Sequence, residues 1–312
     1  MGQPLFILGK QRSGTTWLAT QLSQHSQIAA VRDDHHGGIH ESAYFSHVAG
    51  RYGDLSRQTN YVEFAEVMAA SDTLRILGVD KAFLYALWPT TYEGVFTALM
   101  NEAARKKGAR YWLDKTPEHT LMIDQLAAAY PDAKFVATVR DPLEVTASSI
   151  GRYRGGGWGR RRALFRGALN LVHHVKEIDR FAGRSPRVRV VRFEALRRDP
   201  EGAFRELMEF LELEFEPGLL EEAYTPNTTF RGARAGGRGE VLTAGDKRLV
   251  GAALRLGGLL PTWGYRAARR LTHRGKDPLP RWFFSMYPPV YDLQPGGRAA
   301  AAGRGDPERS PQ

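Results

Sequence analysis

The stretch PLFILGKQRSGTTW, residues 4–17, decides the fold. Its apolar run PLFIL has the length of a short buried strand, and TTWLATQLSQHS beyond the glycine-containing turn reads as a helix. The turn itself, GKQRSGTT at 9–16, keeps the G-x-x-x-x-G spacing of a phosphate-cradling loop. Thr15 stands where a nucleotide triphosphatase carries lysine. A glycine-containing turn from strand into helix offers several backbone N–H groups, and the positive end of the helix dipole, to a single anion. Gly14 permits close backbone approach, and the hydroxyls of Thr15 and Thr16 add donors. The nearby cations, Lys10 and Arg12, precede Gly14. Such a loop suits a terminal 5′-phosphate gripped from its outer side better than a Mg-triphosphate tail.

Outward from this loop, strand-like and helix-like segments alternate. IAAV (28–31), YWLD (111–114), KFVATV (134–139) and RVRVVRF (187–193) read as strands. NYVEFAEVMAAS, TYEGVFTALMNEAARKK, TPEHTLMIDQLAAAY, RALFRGALNLVHHVKEIDRFA and EGAFRELMEFLEL read as helices, several of them with apolar residues three and four apart. The expected class is α/β, a central parallel sheet flanked by helices. Ligands of such sheets bind beyond the carboxyl ends of the strands, at the switch point. Three strand exits carry polar signatures, GKQRSGTT, DKTPEH (114–119) and RDPLEVTASS (140–149), and should converge there.

The chain has 312 residues, 42% of them hydrophobic, and shows no linker-like break in composition. We therefore expect one domain over 1–295. The Gly-, Pro-, Ala- and Arg-rich tail at 296–312 is expected to be disordered. With 44 Lys and Arg against 34 Asp and Glu, the net charge is +10, which favours anionic partners. There is no cysteine, so disulfides and thiolate metal sites are excluded. No signal peptide or membrane-spanning run is visible, and the default expectation is a soluble cytoplasmic protein. RWFFSMYPPVY (281–291), after a basic amphipathic stretch, gives residues 265–291 a peripheral membrane contact or, alternatively, a strap against the core.

At RDPLEVTASSI, Asp141 is placed to cap a helix with Pro142 at its first position. Arg140 then stands at the strand exit with Ser148 two turns down the helix. A guanidinium fork and a hydroxyl can share one phosphate. In DDHHGGIHESAYFSHV (33–48), Glu41 heads a stretch read as helical, with His40 beside it. His36 and His40 have an i, i+4 metal spacing without a third ligand, and no metal is expected.

R-S-G-T-T-W at 12–17 resembles the 5′-phosphosulfate loop of sulfotransferases that use 3′-phosphoadenosine 5′-phosphosulfate. R-D-P with a serine eight residues after the arginine resembles their 3′-phosphate site, and VRFEALRRDP (191–200) resembles a later strand-to-helix segment in which Glu194 is read as structural. The similarity covers roughly residues 4–215 and implies the P-loop-like sulfotransferase fold. It implies that Arg12, Ser13, Gly14, Thr15, Thr16 and Trp17 hold the 5′ side, although the ring of Trp17 suits packing. It places Arg140 and Ser148 on the 3′ side, with Arg231 and Gly232 as the nearest match to a late loop that closes over the 3′-phosphate. The family's spacing is departed from there, and Arg234 or Arg238 are alternatives.

H-E-S-A-Y-F resembles the catalytic-glutamate segment of the carbohydrate-modifying branch, making Glu41 the general base and leaving His40 as its rival. D-K-T-P resembles the catalytic-lysine segment, making Lys115 the group that meets the leaving oxygen beside Arg12. Lys81 is a possible acceptor contact. The expected function is transfer of a sulfuryl group to a hydroxyl acceptor, a carbohydrate or glycolipid that is anionic or lipid-linked, leaving adenosine 3′,5′-bisphosphate. A P-loop kinase is disfavoured by Thr15, and a nucleic-acid-binding module by the lack of a helix-turn-helix or aromatic RNA-binding pattern. The Gly- and Arg-rich segments RGGGWGRRR (154–162) and FRGARAGGRGEV (230–241) are expected to be loops.

Overall fold

The structure, a computed structural model, describes residues 1–33, 38–150, 157–220, 242–272 and Leu279. These fall into two compact units, one drawn from Met1–Glu41 and Ala103–Arg274, the other built around Ser42–Glu102. The first unit opens with β1 (Gln3–Gly9), α1 (Thr15–Gln24), β2 (Ile28–Ala30), and the strand pair β3 (Arg32–Asp33) and β4 (Gly38–Ile39). The second holds a one-turn π-type helix at Tyr44–Val48, then α2 (Gln58–Ala69), α3 (Asp72–Leu77), α4 (Lys81–Tyr85) and most of α5 (Tyr92–Lys107).

The chain continues in the first unit through β5 (Tyr111–Lys115), a 3₁₀ turn at Pro117–Met122, α6 (Ile123–Ala129), β6 (Lys134–Val139), α7 (Pro142–Ile150) and α8 (Gly157–Ala182). It closes with β7 (Val188–Arg192), α9 (Phe193–Arg198), α10 (Pro200–Leu211), a 3₁₀ turn at Pro217–Leu220, α11 (Ala244–Leu259) and α12 (Thr262–Thr272).

Five strands form one sheet in the order β2-β5-β1-β6-β7, all parallel. β1 lies at its centre, with Leu5 opposite Leu113 on one side and opposite Lys134 on the other. Its residues Leu5 to Leu8 are fully buried, as a strand covered on both faces by helices requires. On one face Leu18, Leu22, Phe204, Leu207 and Leu211 pack against Leu5, Ile7, Leu113 and Val136. From β1 the chain turns first towards β2, and after β6 it turns the other way towards β7. The switch point therefore lies where β1 meets β6, with Gly9 opposite Thr138.

The end of α1 is held by a single lysine. Lys107 Nζ donates to the carbonyls of Ser23, His25 and Ile28 at 2.6, 2.7 and 2.8 Å. That satisfies acceptors a helix end leaves over and fixes the entry into β2. In the second unit, Phe96 packs against Tyr44 and Phe45 at 4.9 Å between ring centroids. Lys81 begins α4 and pairs with Glu66 at 2.5 Å.

Three expectations change. TPEHTLMIDQLAAAY is a 3₁₀ turn followed by α6, because Pro117 opens the turn and the chain must bend down from the sheet edge. No helix starts at Glu41; the π-type turn begins at Tyr44. The segment read as a loop at 154–162 is helical from Gly157, where α8 packs along α11 and Arg160 reaches Asp246 at 2.9 Å. Its residues 154–156 lie outside the described residues, as do the segment at 230–241, the aromatic stretch at 281–291 and the tail at 296–312. Among the described residues no helix is long and apolar enough to cross a membrane.

Candidate active site

The loop between β1 and α1 is built on unusual backbone geometry. Gly9 and Gly14 have φ of +146° and +98°, and Arg12 itself is left-handed at φ +76°. A Cβ on Gly9 would lie 2.6 Å from Thr138 Oγ1 and 2.7 Å from Ser13 Oγ, and one on Gly14 would run into the ring of Phe193. Both positions therefore require glycine. For an arginine, the left-handed region costs roughly 1–2 kcal/mol, and such strain persists where the surroundings enforce it. Here they do. Ser13 N–H and Oγ both donate to the Lys10 carbonyl, at 3.0 and 2.6 Å, and Ser13 Oγ lies 2.9 Å from Thr138 Oγ1. Gly9 N–H donates to Thr120 Oγ1 at 2.8 Å.

Past Gly14, helix α1 begins with no side-chain cap on its first turn. The first N–H groups of a helix have no partner within it, so those of Thr15, Thr16 and Trp17 add to the anion-attracting end. Trp17 points into the core, edge-on to Phe193 and Phe204 with centroids 6.1 Å apart in both pairs. The ring therefore serves packing.

The exit of β6 meets this loop. Arg12 Nε donates to Ser148 Oγ at 2.8 Å, and Arg140 Nη1 donates to the Arg12 carbonyl at 3.3 Å. Asp141 Oδ1 caps α7 by accepting from Glu144 N–H at 2.9 Å. Glu194 Oε1 accepts from Asp141 N–H at 2.8 Å, fixing the cap from α9 in the structural part expected of it. The Arg140 guanidinium lies 4.5 Å above the Phe193 ring, so one phenyl group supports both Arg140 and the loop glycine.

The exit of β5 completes the group. Lys115 is 2% exposed, and its Nζ donates to Glu41 Oε1 at 2.5 Å and to Thr16 Oγ1 at 3.2 Å. Behind it, Asp114 Oδ2 and His119 Nδ1 form a buried pair at 2.7 Å. Glu118 of the same turn bonds Gln11 of the loop, and Gln11 accepts from Lys10 Nζ at 3.0 Å. Burial pushes the Glu118 carboxyl above the usual carboxylate range, and the negative charge of Glu41 pushes it further. Burial also lowers the Lys10 ammonium, an effect that the charge of Glu118 opposes.

The structure thus brings together Arg12, Ser13, Gly14, Thr15, Thr16, Glu41, Lys115, Arg140 and Ser148. His40 is buried, 6% exposed. His36, Arg231, Gly232, Arg234 and Arg238 lie outside the described residues. Among the described residues no three His, Asp or Glu side chains cluster as a metal site. Glu118, Glu144 and Arg197 went unread in the sequence. Glu144 was open to detection, since it stands four residues after Arg140 on a helix face.

The sequence pattern of the Sulfotransferase family matches residues 4–217. Nodulation protein NoeE of Sinorhizobium fredii (strain NBRC 101917 / NGR234) is 26% identical over 144 residues, which is 46% of this chain. The match spans 30% of the length of that relative. The sulfotransferase domain of the Synechococcus PCC 7002 olefin synthase is 20% identical with a TM-score of 0.51, over 70% of this chain and 76% of that one, and shares the fold. A sulfotransferase from Alicyclobacillus acidocaldarius is 19% identical with a TM-score of 0.43, over 82% of this chain and 97% of its own.

Proposed function

The chain belongs to the Sulfotransferase family, and on that premise we propose that it moves a sulfuryl group from 3′-phosphoadenosine 5′-phosphosulfate to the hydroxyl of a carbohydrate or glycolipid. The donor supplies an activated sulfuryl group on a phosphate leaving group. The residues present fit such a molecule, because two glycine positions that no Cβ could fill, several hydroxyls and two arginines converge at one strand switch point. Arg12, Ser13, Gly14, Thr15 and Thr16 are the 5′ side, and Arg140 and Ser148 the 3′ side.

Glu41 takes the proton from the acceptor hydroxyl as its oxygen bonds to sulfur. The bond between sulfur and the bridging oxygen breaks, and its electron pair stays on that oxygen. Lys115 meets the charge developing there. Its Nζ already links the loop, through Thr16, to the carboxylate. Preorganised cations of this kind carry most of the catalysis in the related phosphoryl transfers. No metal is needed for these steps. The net charge of +10 suits an anionic acceptor.

The observation that supports the reading most directly is the 2.8 Å bond from Arg12 to Ser148, which puts the two phosphate-binding segments within reach of one nucleotide. Calorimetry tests it. Adenosine 3′,5′-bisphosphate should bind without Mg²⁺ and ATP should bind weakly; tight, Mg²⁺-dependent ATP binding would replace this proposal with a kinase.

A further inference from the structure

We propose that Glu144 competes with the nucleotide's 3′-phosphate for Arg140, and so sets how quickly the bisphosphate product leaves; the inference rests on the donor reading above. Glu144 Oε2 accepts from Arg140 Nε at 2.9 Å and from Arg140 Nη2 in a second, shorter bond. That Nε/Nη2 edge is the side of a guanidinium that carboxylates and phosphates grip in pairs. Arg140 is anchored at two further points. Nη1 donates to the Arg12 carbonyl, and the plane rests on Phe193. A 3′-phosphate that grips this edge of Arg140 with two parallel bonds has to displace Glu144.

Exposure decides which partner moves. The side chain of Arg140 is 15% exposed and that of Glu144 is 44% exposed. The carboxylate can swing into water at small cost while the guanidinium stays. It also has a second cation at hand, since Arg197 Nη1 of α9 lies 4.0 Å from Glu144 Oε2. An exposed ion pair is worth little, whereas a phosphate monoester carries close to two charges and three acceptor oxygens. The phosphate wins the exchange, but its affinity is reduced by what the internal pair was worth. On release the carboxylate returns, and Arg140 keeps its orientation for the next donor.

The test uses the full chain and two nucleotides, adenosine 3′,5′-bisphosphate and adenosine 5′-phosphate, which lacks the 3′ group. Affinity is read by calorimetry and release by stopped flow. Glu144→Gln should bind the bisphosphate about threefold to fivefold more tightly, the worth of an exposed ion pair, through slower release, with the monophosphate unchanged. Glu144→Asp keeps a negative charge in the first turn of α7 but withdraws it by one methylene, and should shift the bisphosphate the same way. Unchanged or weaker bisphosphate binding in both variants overturns the proposal, as does an equal change for the two nucleotides. Failure of the donor reading looks different: the wild-type chain would then hold both nucleotides equally well, and the role of Glu144 would fall with it.

Discussion

Glu177 and Glu41 are both carboxylates paired with cations in the same unit, and they are held in opposite ways. Glu177 is 1% exposed and grips arginines with both oxygens. Its Oε1 accepts from Arg266 Nε at 2.8 Å, and its Oε2 accepts from Arg266 Nη2 and Arg180 Nη2, both at 2.6 Å. The same two arginines reach Asp124 at 2.9 and 2.7 Å, so the network ties α12 and α8 to α6. Glu41 is 25% exposed and bonds one lysine through Oε1. A carboxylate shared among several guanidinium groups is a clamp, because no single exchange frees it. Under the proposed function, one held among the described residues by a single ammonium can trade that partner during transfer. The number of partners, more than the charge, separates structure from chemistry.

The comparison breaks if the wrong carboxylate carries activity. Replacing Glu41 by Gln should cut turnover by roughly 10²–10⁴-fold, the usual worth of a general base, while calorimetry shows the bisphosphate still bound. Lys115→Ala should lose a comparable amount for want of a cation beside the leaving oxygen. Near-normal turnover in Glu41→Gln would move the base role to His40 or another group. Glu177→Ala should leave transfer per folded molecule unchanged but destabilise the fold by about 1–3 kcal/mol in chemical denaturation, because the partly exposed guanidinium groups of Arg180 and Arg266 lose one of their two carboxylates.

Acid sharpens the contrast. Burial works to raise Glu177, but hydrogen bonds from Arg266 and Arg180, with His173 Nε2 3.5 Å away, outweigh it and hold the carboxyl well below its ordinary 4.5. Its contribution to stability is full above that pH and is lost as pH falls below it. Glu177→Gln should flatten that acid limb of the stability curve. Glu118 has the opposite sign, because its carboxyl is raised above 4.5. The folded state binds its proton more tightly, so its contribution is full below that pH and declines as pH rises through the raised value. Glu118→Gln should remove this smaller decline, read as a weaker loss of thermal midpoint between mildly acidic and neutral pH.

Much of the fold could be read from periodicity and punctuation. PLFIL, YWLD, KFVATV and the VRVVR of RVRVVRF lie on sheet strands, with Phe193 already opening α9, and Asp141–Pro142 opens a helix as its residue types require. The short pair β3–β4 could not be read, because two-residue strands carry no period. Helix α11 was also passed over, although Thr243 and Asp246 form a reciprocal cap that the T-x-x-D spacing announces. Within the site, residue types and spacing identified groups that the fold brings together at the strand exits. They did not identify Glu144 or Arg197, whose importance comes from which edge of Arg140 is already taken, a fact of three-dimensional geometry.

Phe193 carries a consequence for how this chain can change. Its ring fills the space that a side chain at position 14 would need and supports the guanidinium at position 140 from beneath. Substitutions at these three sites are therefore not independent. A side chain at 14 would need a smaller residue at 193 in addition to bearing the strain of a +98° φ, and the smaller residue would leave Arg140 unsupported. Among descendants of this protein the three positions should drift together or stay fixed, and an engineer reshaping this loop would have to vary them as a set.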